Sequence, residues 1–255
     1  MIPEKAFRIF IVVQHWLLQY FYFKISIMKK SIIISLLVVL SLHLQLMAQN
    51  INELKTVSKI VVSSGILLEI ERSDTYGLEI KSPDLNRECL INTIEEGVLT
   101  LKLKPESGCK GAVSASLKIP SIRFIEAANQ AEVTTRNLLK TDSLILKLRT
   151  GAKASVDLDV TYLEIFLSEG SILTAEGYAN IQNINVTTKA TCSAFSLEGD
   201  TVQITASANA LAKICATEKL DAKASMGAYI GYKCDPPQVK LDDSLLGKIE
   251  AVKED

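Results

Sequence analysis

Apolar and polar residues alternate along most of the chain after residue 50, which is the period-two pattern of β-strands. One such segment carries Leu99, Leu101 and Leu103 on one side and Thr100 and Lys102 on the other. The sequence after residue 50 contains no sustained apolar stripe at the spacing of a helix. The pattern therefore predicts an all-β protein.

From residue 144 the alternation repeats in five segments that share the same phase. Each segment aligns on a turn position, and successive turns lie 18 to 21 residues apart, at Gly151, Gly170, Thr191, Asn209 and Gly227. The central apolar column of this alignment contains Leu146, Ile165, Val186, Ile204 and Ala222. A repeat this short without a helix is typical of one coil of a single-stranded parallel β-solenoid, whose coils stack about 4.8 Å apart.

The residue types at the turns explain how the chain can bend sharply once per coil. Gly151, Gly170, Gly227 and Asn209 belong to the residue types that adopt a positive φ at the lowest cost. The residue after each turn position is always small: Ala152, Ser171, Cys192, Ala210 and Ala228. We therefore assign a structural role to these four turn residues.

The flanking segments predict how the two ends of the solenoid are finished. Residues 90–94 and 98–103 surround Glu95-Glu96-Gly97, a pattern typical of a β-hairpin. We interpret residues 49–120 as N-terminal strands with a hairpin cap, 121–240 as the solenoid coils and 241–255 as a C-terminal tail. Pro236 and Pro237 lack backbone donors, so we expect strand pairing to stop there.

The N-terminal segment has the layout of an export signal. Met28-Lys29-Lys30 precedes an apolar stretch and a small residue, Ala48, so residues 28–48 are interpreted as a secretory signal peptide. Residues 1–27 are either a mis-assigned start or an uncleaved membrane anchor, although their apolar run is short for a span. We expect an exported protein of the periplasm, outer membrane or cell surface, with membrane contact only through these segments.

Removal of residues 1–48 limits the chemistry that is available. Both histidines and the only tryptophan lie in that segment, and the remaining chain has 23 Lys and Arg against 28 Asp and Glu, a net charge of −5. Serine and cysteine hydrolases that rely on histidine are therefore disfavoured, because they need an imidazole to move the proton. A mildly acidic surface gives no reason to expect nucleic acid, and no motif predicts a cofactor.

Five cysteines remain after the N-terminal segment, and export permits disulfides. Cys89 and Cys109 lie just outside the two open ends of the predicted hairpin, so they either form a bridge or remain two half-buried thiols. Cys215 and Cys234 lie on adjacent coils but one position out of phase. A bridge between them would require a local slip and is disfavoured. An odd count leaves at least one thiol outside an intramolecular pair.

Several segments together resemble one known family. The opening Ile60-Val61-Val62-Ser63-Ser64-Gly65-Ile66, the Gly turns, the ending Tyr229-Ile230-Gly231-Tyr232 and the later Gly247-Lys248-Ile249 are similar to the head GIN-domain auto-transporter adhesins of bacterial envelopes. The similarity covers about residues 57–252. It implies a right-handed parallel β-helix and an adhesin-like role, and it brings no catalytic residues. Thr191 and Asn209 depart from the Gly-rich turns of the family.

Two groups of side chains are candidate sites. Five aromatic residues are expected to be exposed, where they would stack on sugar rings or be buried at a protein interface: Phe166, Phe195, Tyr178, Tyr229 and Tyr232. The alternative is a satellite cluster beneath the loops. Asp157 and Glu176 fall in one column of successive coils and would supply oxygen ligands to Ca²⁺, or else form an ordinary solvated column.

These features support three hypotheses about function. The first is a non-enzymatic, adhesin-like module of the cell envelope that presents a β-helix face to a glycan or to an envelope or host protein. The second is a polysaccharide-processing enzyme that uses Asp157 and Glu176. The third is a structural scaffold that self-associates into a homo-oligomer.

The predicted strand phase can be tested with one inward and one outward position. Ile165→Asp places an unpaired charge inside the solenoid and should lower the free energy of unfolding by several kcal/mol, since burial alone is worth roughly 1.5–3 kcal/mol. Lys147→Gln lies on the outward side and should stay within about 0.5 kcal/mol of the parent chain. Denaturant unfolding measures both, and equal effects would show that the phase is wrong.

Overall fold

The computed structural model describes residues 53–82, 87–105, 109 and 111–253. The predicted signal peptide and the segment before it lie outside these residues. Within the described part, no helix has both the length and the apolar character needed to cross a membrane.

The described residues contain sixteen strands that hydrogen-bond into one continuous sheet. A 3-10 helix at Arg87–Cys89 precedes the fourth strand. The strands are β1 (Lys59–Val62), β2 (Leu67–Arg72), β3 (Gly77–Lys81), β4 (Leu90–Glu95), β5 (Val98–Leu103), β6 (Ser114–Ile119), β7 (Phe124–Ala127), β8 (Glu132–Thr135), β9 (Leu139–Leu148), β10 (Lys153–Leu167), β11 (Ile172–Val186), β12 (Thr191–Ala206), β13 (Leu211–Ala224), β14 (Tyr229–Lys233), β15 (Gln238–Asp243) and β16 (Lys248–Ala251).

The strands from β9 onward stack in parallel as successive coils. β10 pairs with β9 and β11, and β12 pairs with β11 and β13, all in parallel register. Alternate side chains of each coil point into the solenoid and are buried, as their period-two pattern predicts. One inward column consists of Leu146, Ile165, Ile184, Ile204 and Ala222. The predicted all-β parallel solenoid is confirmed.

The sequence alignment of the third coil was wrong by two residues. The turn lies at Lys189 and not at Thr191, and Ile184 takes the place expected for Val186 beneath Ile165. The cause is Gln182, a buried polar residue that occupies the inward column of Leu163. An alignment that places apolar residues in every inward position skips this glutamine and shifts the coil.

Each coil contains one tight turn with two consecutive residues of positive φ. In Thr150-Gly151, for example, φ is 53° and 71°. Ala152 N–H then donates to Arg149 O at 3.2 Å, which closes a type I′ turn. Gly170, Asn209 and Gly227 occupy the same second position, as does Lys189.

The turns also bind one another along the solenoid. The N–H of the second turn residue donates to the carbonyl of the first turn residue one coil later. Gly151 N–H bonds Glu169 O at 2.9 Å, and Gly170 N–H bonds Thr188 O at 3.0 Å. The small residue that follows each turn is buried: Ala152, Ser171, Ala190, Ala210 and Ala228. Each turn therefore fixes the register of its neighbours.

The solenoid begins earlier in the chain than residue 121, where the sequence placed its start. β1 pairs in parallel with β5 and β7, and β2 pairs in parallel with β6 and β8. The first coil of the chain is thus enclosed between two later ones. The predicted hairpin is β4 and β5, and antiparallel pairing of β4 with β5 and of β3 with β6 finishes this end of the sheet.

The solenoid also continues past Pro236 and Pro237. β15 pairs in parallel with β13, and β16 pairs with β14, so the segment predicted as a tail forms another coil. The expectation that pairing stops at the prolines was wrong, because they lie in the connection between β14 and β15. No ladder hydrogen bond is lost at that place.

Two disulfides join neighbouring segments. Cys89 and Cys109 are bridged with 5.3 Å between their Cα atoms, and Cys215 and Cys234 with 5.4 Å. The second bridge, disfavoured by the sequence phase, forms because Cys234 adopts a φ of 77° just after its strand ends. This local bend supplies the required slip. Cys192 is a free, buried thiol, and burial raises its pKa to about 12.

The turn geometry predicts opposite effects of two substitutions. Lys189→Gly should raise the free energy of unfolding by about 0.5–1 kcal/mol, because glycine removes the left-handed strain of a side chain but adds freedom to the unfolded chain. Gly170→Lys should lower it by about 1 kcal/mol through backbone strain alone, since no atom lies within 4 Å of a Cβ at Gly170. Denaturant midpoints at equal m-values measure both, and two changes of the same sign would contradict the assigned turns.

Candidate ligand-binding cleft

Each long coil has a second corner, at which the alternation of buried and accessible residues is interrupted. In β10 the inward residues Val160 and Leu163 are buried, whereas Thr161 and Tyr162 between them are both accessible to solvent. The same break occurs in β11, where Asn180 and Ile181 separate two buried residues. Two adjacent outward residues bend the chain and bring polar side chains of successive coils together on the outer surface. We call residues 153–160 and their equivalents leg A, and residues 162–167 and their equivalents leg B.

A polar cleft of about 440 Å³ lies at this corner. Its walls come from three successive coils and from the segment before β7. Its lining side chains include both charge signs, hydroxyls and an amide: Ser121, Arg123, Lys140, Thr141, Asp142, Asp159, Thr161, Tyr178 and Asn180. Its size falls in the usual range for small-molecule sites, about 300–1,000 Å³.

Tyr178 is held firmly at the cleft. Its hydroxyl donates a hydrogen bond to Asp200 Oδ2 at 2.7 Å. This bond to a carboxylate raises the pKa of Tyr178 to about 12. The preceding Gly177 has a φ of 103°, and a Cβ there would lie 2.1 Å from Leu158 O. Only glycine allows the two coils to approach closely beside Tyr178.

Opposite charges are paired within the cleft. Lys140 Nζ lies 2.6 Å from Asp159 Oδ2, with Lys140 one coil before Asp159 in the register. Arg123 and Asp142 add one further charge of each sign to the lining. The balance suits a ligand with many hydrogen-bonding groups and little net charge better than a polyanion or polycation.

An accessible, partly apolar surface continues from the cleft onto leg B. We call this surface the shelf and define it as Tyr162, Phe166 and Ile181. Tyr162 and Ile181 are direct neighbours across β10 and β11, and Phe166 and Ile181 are exposed. Tyr162 Oη donates to Glu164 Oε1 at 2.8 Å, which fixes the ring.

The five aromatic residues singled out in the sequence do not form one patch. Tyr178 lines the cleft and Phe166 lies on the shelf. Phe195 lies on leg A beneath two ammonium groups, with Lys233 Nζ 4.9 Å and Lys213 Nζ 5.7 Å from its ring centre.

The remaining two aromatics lie in the last coils. Tyr229 donates a hydrogen bond to Glu250 Oε1 at 2.7 Å, which raises the pKa of the phenol. Tyr232 occupies an inward column with Ile214 and is a partly buried residue that packs against the hydrophobic core.

Asp157 and Glu176 are direct neighbours across β10 and β11, as their column position indicated. The next coil presents Ser196 beside Glu176. The described part of the chain holds no group of three or more Asp, Glu, Cys or His side chains placed to bind a metal ion. These two carboxylates lie outside the cleft lining.

Arg123, Lys140, Asp142 and Asn180 are cleft residues that the sequence analysis missed. Each lies at or next to a position where strict alternation fails. The pairs of adjacent outward residues, such as Thr161 and Tyr162, were the signal that could have located the corner.

Several solved structures share this fold. A putative adhesin from Bacteroides fragilis NCTC 9343 is 20% identical with a TM-score of 0.70, and the match covers 78% of this chain and 94% of that one. A putative lipid binding protein from Parabacteroides distasonis ATCC 8503 is 15% identical, with a TM-score of 0.63 and coverage of 77% and 93%. A putative adhesin from Parabacteroides merdae ATCC 43184 is 21% identical, with a TM-score of 0.60 and coverage of 77% and 92%. At these identities the likeness establishes the fold alone.

No functionally curated protein matches the chain significantly. A family profile does match over residues 57–236, which is more than half of the chain, and its description is "Putative auto-transporter adhesin, head GIN domain". The matched segment includes the turns up to Gly227, the corner cleft and the shelf. The chain therefore belongs to this head GIN-domain adhesin family.

Proposed function

We propose that the protein is an exported, non-catalytic module of the cell envelope that binds a glycan in the corner cleft. The observation that carries the proposal is the cleft itself, in which Tyr178, Asn180 and the Lys140–Asp159 pair converge from three coils. The family membership supports an adhesin-like role without indicating the ligand.

The cleft can satisfy the hydroxyl groups of a sugar. Asp142 and Asp159 accept hydrogen bonds, Arg123 and Lys140 donate them, and Asn180 does both. Hydrogen bonds that involve a charged partner are stronger than neutral ones, so vicinal hydroxyls would bind best where both charge signs are within reach. The Tyr178 phenol is already oriented by Asp200, which lowers the entropy lost on binding.

The shelf extends the same site beyond one sugar ring. The rings of Tyr162 and Phe166 offer apolar faces four residues apart on β10, and Ile181 adds aliphatic surface beside Tyr162 on the next coil. The C–H faces of a pyranose ring are apolar, so they can be buried against such a surface while the hydroxyls remain in the cleft. This combination favours an oligosaccharide over a single sugar.

Binding to an array of bacterial and host oligosaccharides, followed by titration calorimetry, tests the proposal. Tyr178→Ala and Asp159→Asn should each weaken the affinity about tenfold, because each removes a hydrogen bond that involves a charged or fixed partner. Asp157→Asn is the matched control, since Asp157 lies two residues earlier on the same strand outside the cleft lining, and it should leave the affinity unchanged.

Four results would contradict the proposal. Failure of every oligosaccharide to bind is one, and an equal loss with Asp157→Asn and Asp159→Asn is another. Release of sugar products that depends on Asp157 would assign a polysaccharide-processing enzyme instead. Retention on phospholipid vesicles without glycan binding would indicate a lipid ligand, as the name of one structural neighbour states for that protein.

A further inference from the structure

The C-terminal end of the solenoid exposes an unpaired strand edge. β15 pairs only with β13 and β16 only with β14, and no described residue pairs with their outer edges. A free edge presents backbone N–H and C=O groups in the geometry that another strand needs. At the opposite end the outermost strands are β3 and β4, which are held by antiparallel pairs, and no described residue pairs with their outer edges either.

The same end also exposes apolar side chains that belong to inward columns. Val239 and Leu241 are each 44% exposed, although their neighbours one coil earlier, Leu220 and Ala222, are almost fully buried. The last turn consists of Leu245 and Leu246 at φ 47° and 66°, and Leu246 is 92% exposed.

A leucine at a left-handed turn position has an unfavourable backbone conformation and, when exposed, an apolar side chain in contact with water. Earlier turns place Gly, Asn, Lys or Gln at the second position, where a side chain is either absent or polar. A β-strand edge, two exposed inward residues and a leucine pair at a strained turn are therefore all unfavourable in a free end. Together they indicate a surface that another strand covers.

We propose that this end binds the same end of a second copy of the chain around a two-fold axis, with β15 antiparallel to β15 of the second copy. Two-fold association uses one surface twice and closes on itself. It would add the missing hydrogen-bond partner to β15 and remove Val239 and Leu241 from water. This inference is independent of the proposed glycan site, which lies on the side of the coils.

The charges along the edge select one register. When the antiparallel pair is centred on Leu241, that residue faces its own copy and Lys240 faces Asp242 in both directions. Centring on Lys240 or on Asp242 would instead place like charges opposite each other, which is destabilising.

β16 carries the same pattern of residues as β15. Ile249 lies in an inward column and is flanked by Lys248 and Glu250, so a register centred on Ile249 again pairs opposite charges. Both edge strands are thus self-complementary for antiparallel pairing. If the C-terminal end of one copy bound the opposite end of another, β15 and β16 would meet β3 and β4, and this self-complementary pairing would be lost.

Cysteine cross-linking of the full chain tests the proposed register. In an antiparallel pair the two residues at the centre have Cα atoms about 4.5–5.5 Å apart, a separation that a disulfide can span. Leu241→Cys should therefore give a covalent dimer on mild oxidation, seen on a non-reducing gel. Ile172→Cys is the matched control, because Ile172 is similarly exposed at 41% on leg A, and it should remain monomeric.

A charge exchange in the Leu241→Cys background separates this register from random association. Adding Lys240→Glu should lower the dimer yield several-fold, and adding Asp242→Lys to that variant should restore it. The proposal would be overturned if Leu241→Cys and Ile172→Cys gave equal dimer yields, or if adding Lys240→Glu left the yield of Leu241→Cys unchanged. Absence of any dimer from Leu241→Cys would do so as well.

Discussion

The structure depends on the register between successive coils. Inward side chains are buried only if each lies above an inward side chain of the previous coil, and every strand hydrogen bond needs the same alignment. The type I′ turns set this alignment once per coil, because the second turn N–H binds the carbonyl of the next turn, as Gly151 binds Glu169. A slip of one residue would bring outward charges into the interior. The turns and the aliphatic columns therefore act as a single constraint.

The corner cleft is a consequence of this register. Tyr178 reaches Asp200, and Lys140 reaches Asp159, because the residues of adjacent coils are held at fixed offsets. No long loop is needed to build the site. Any side chain placed next to the corner is brought beside its equivalents in the neighbouring coils, so a few substitutions can change the lining of the cleft while the columns behind them stay the same.

The sequence was informative where a residue type has one strong structural preference. Alternating leucines and the glycines at 151, 170 and 227 were enough to predict parallel coils and most of the turns. The sequence-based prediction failed where a residue departs from the usual preference of its type. Gln182 lies inside, where its amide donates to the carbonyls of Leu197 and Glu198, and no apolar pattern can anticipate this. The coil formed by β1 and β2 was missed because its spatial neighbours are distant in sequence and leave no repeat spacing.

A crystal structure of the chain tests the central claim most directly, through the register of the third coil. The account predicts that Ile184 lies over Ile165, that Lys189 has a positive φ and that Tyr178 contacts Asp200. If Val186 lay over Ile165 instead, Gln182 would leave its inward column and Tyr178 would shift two positions along its neighbours. The cleft would then not exist, and the binding role derived from it would be contradicted.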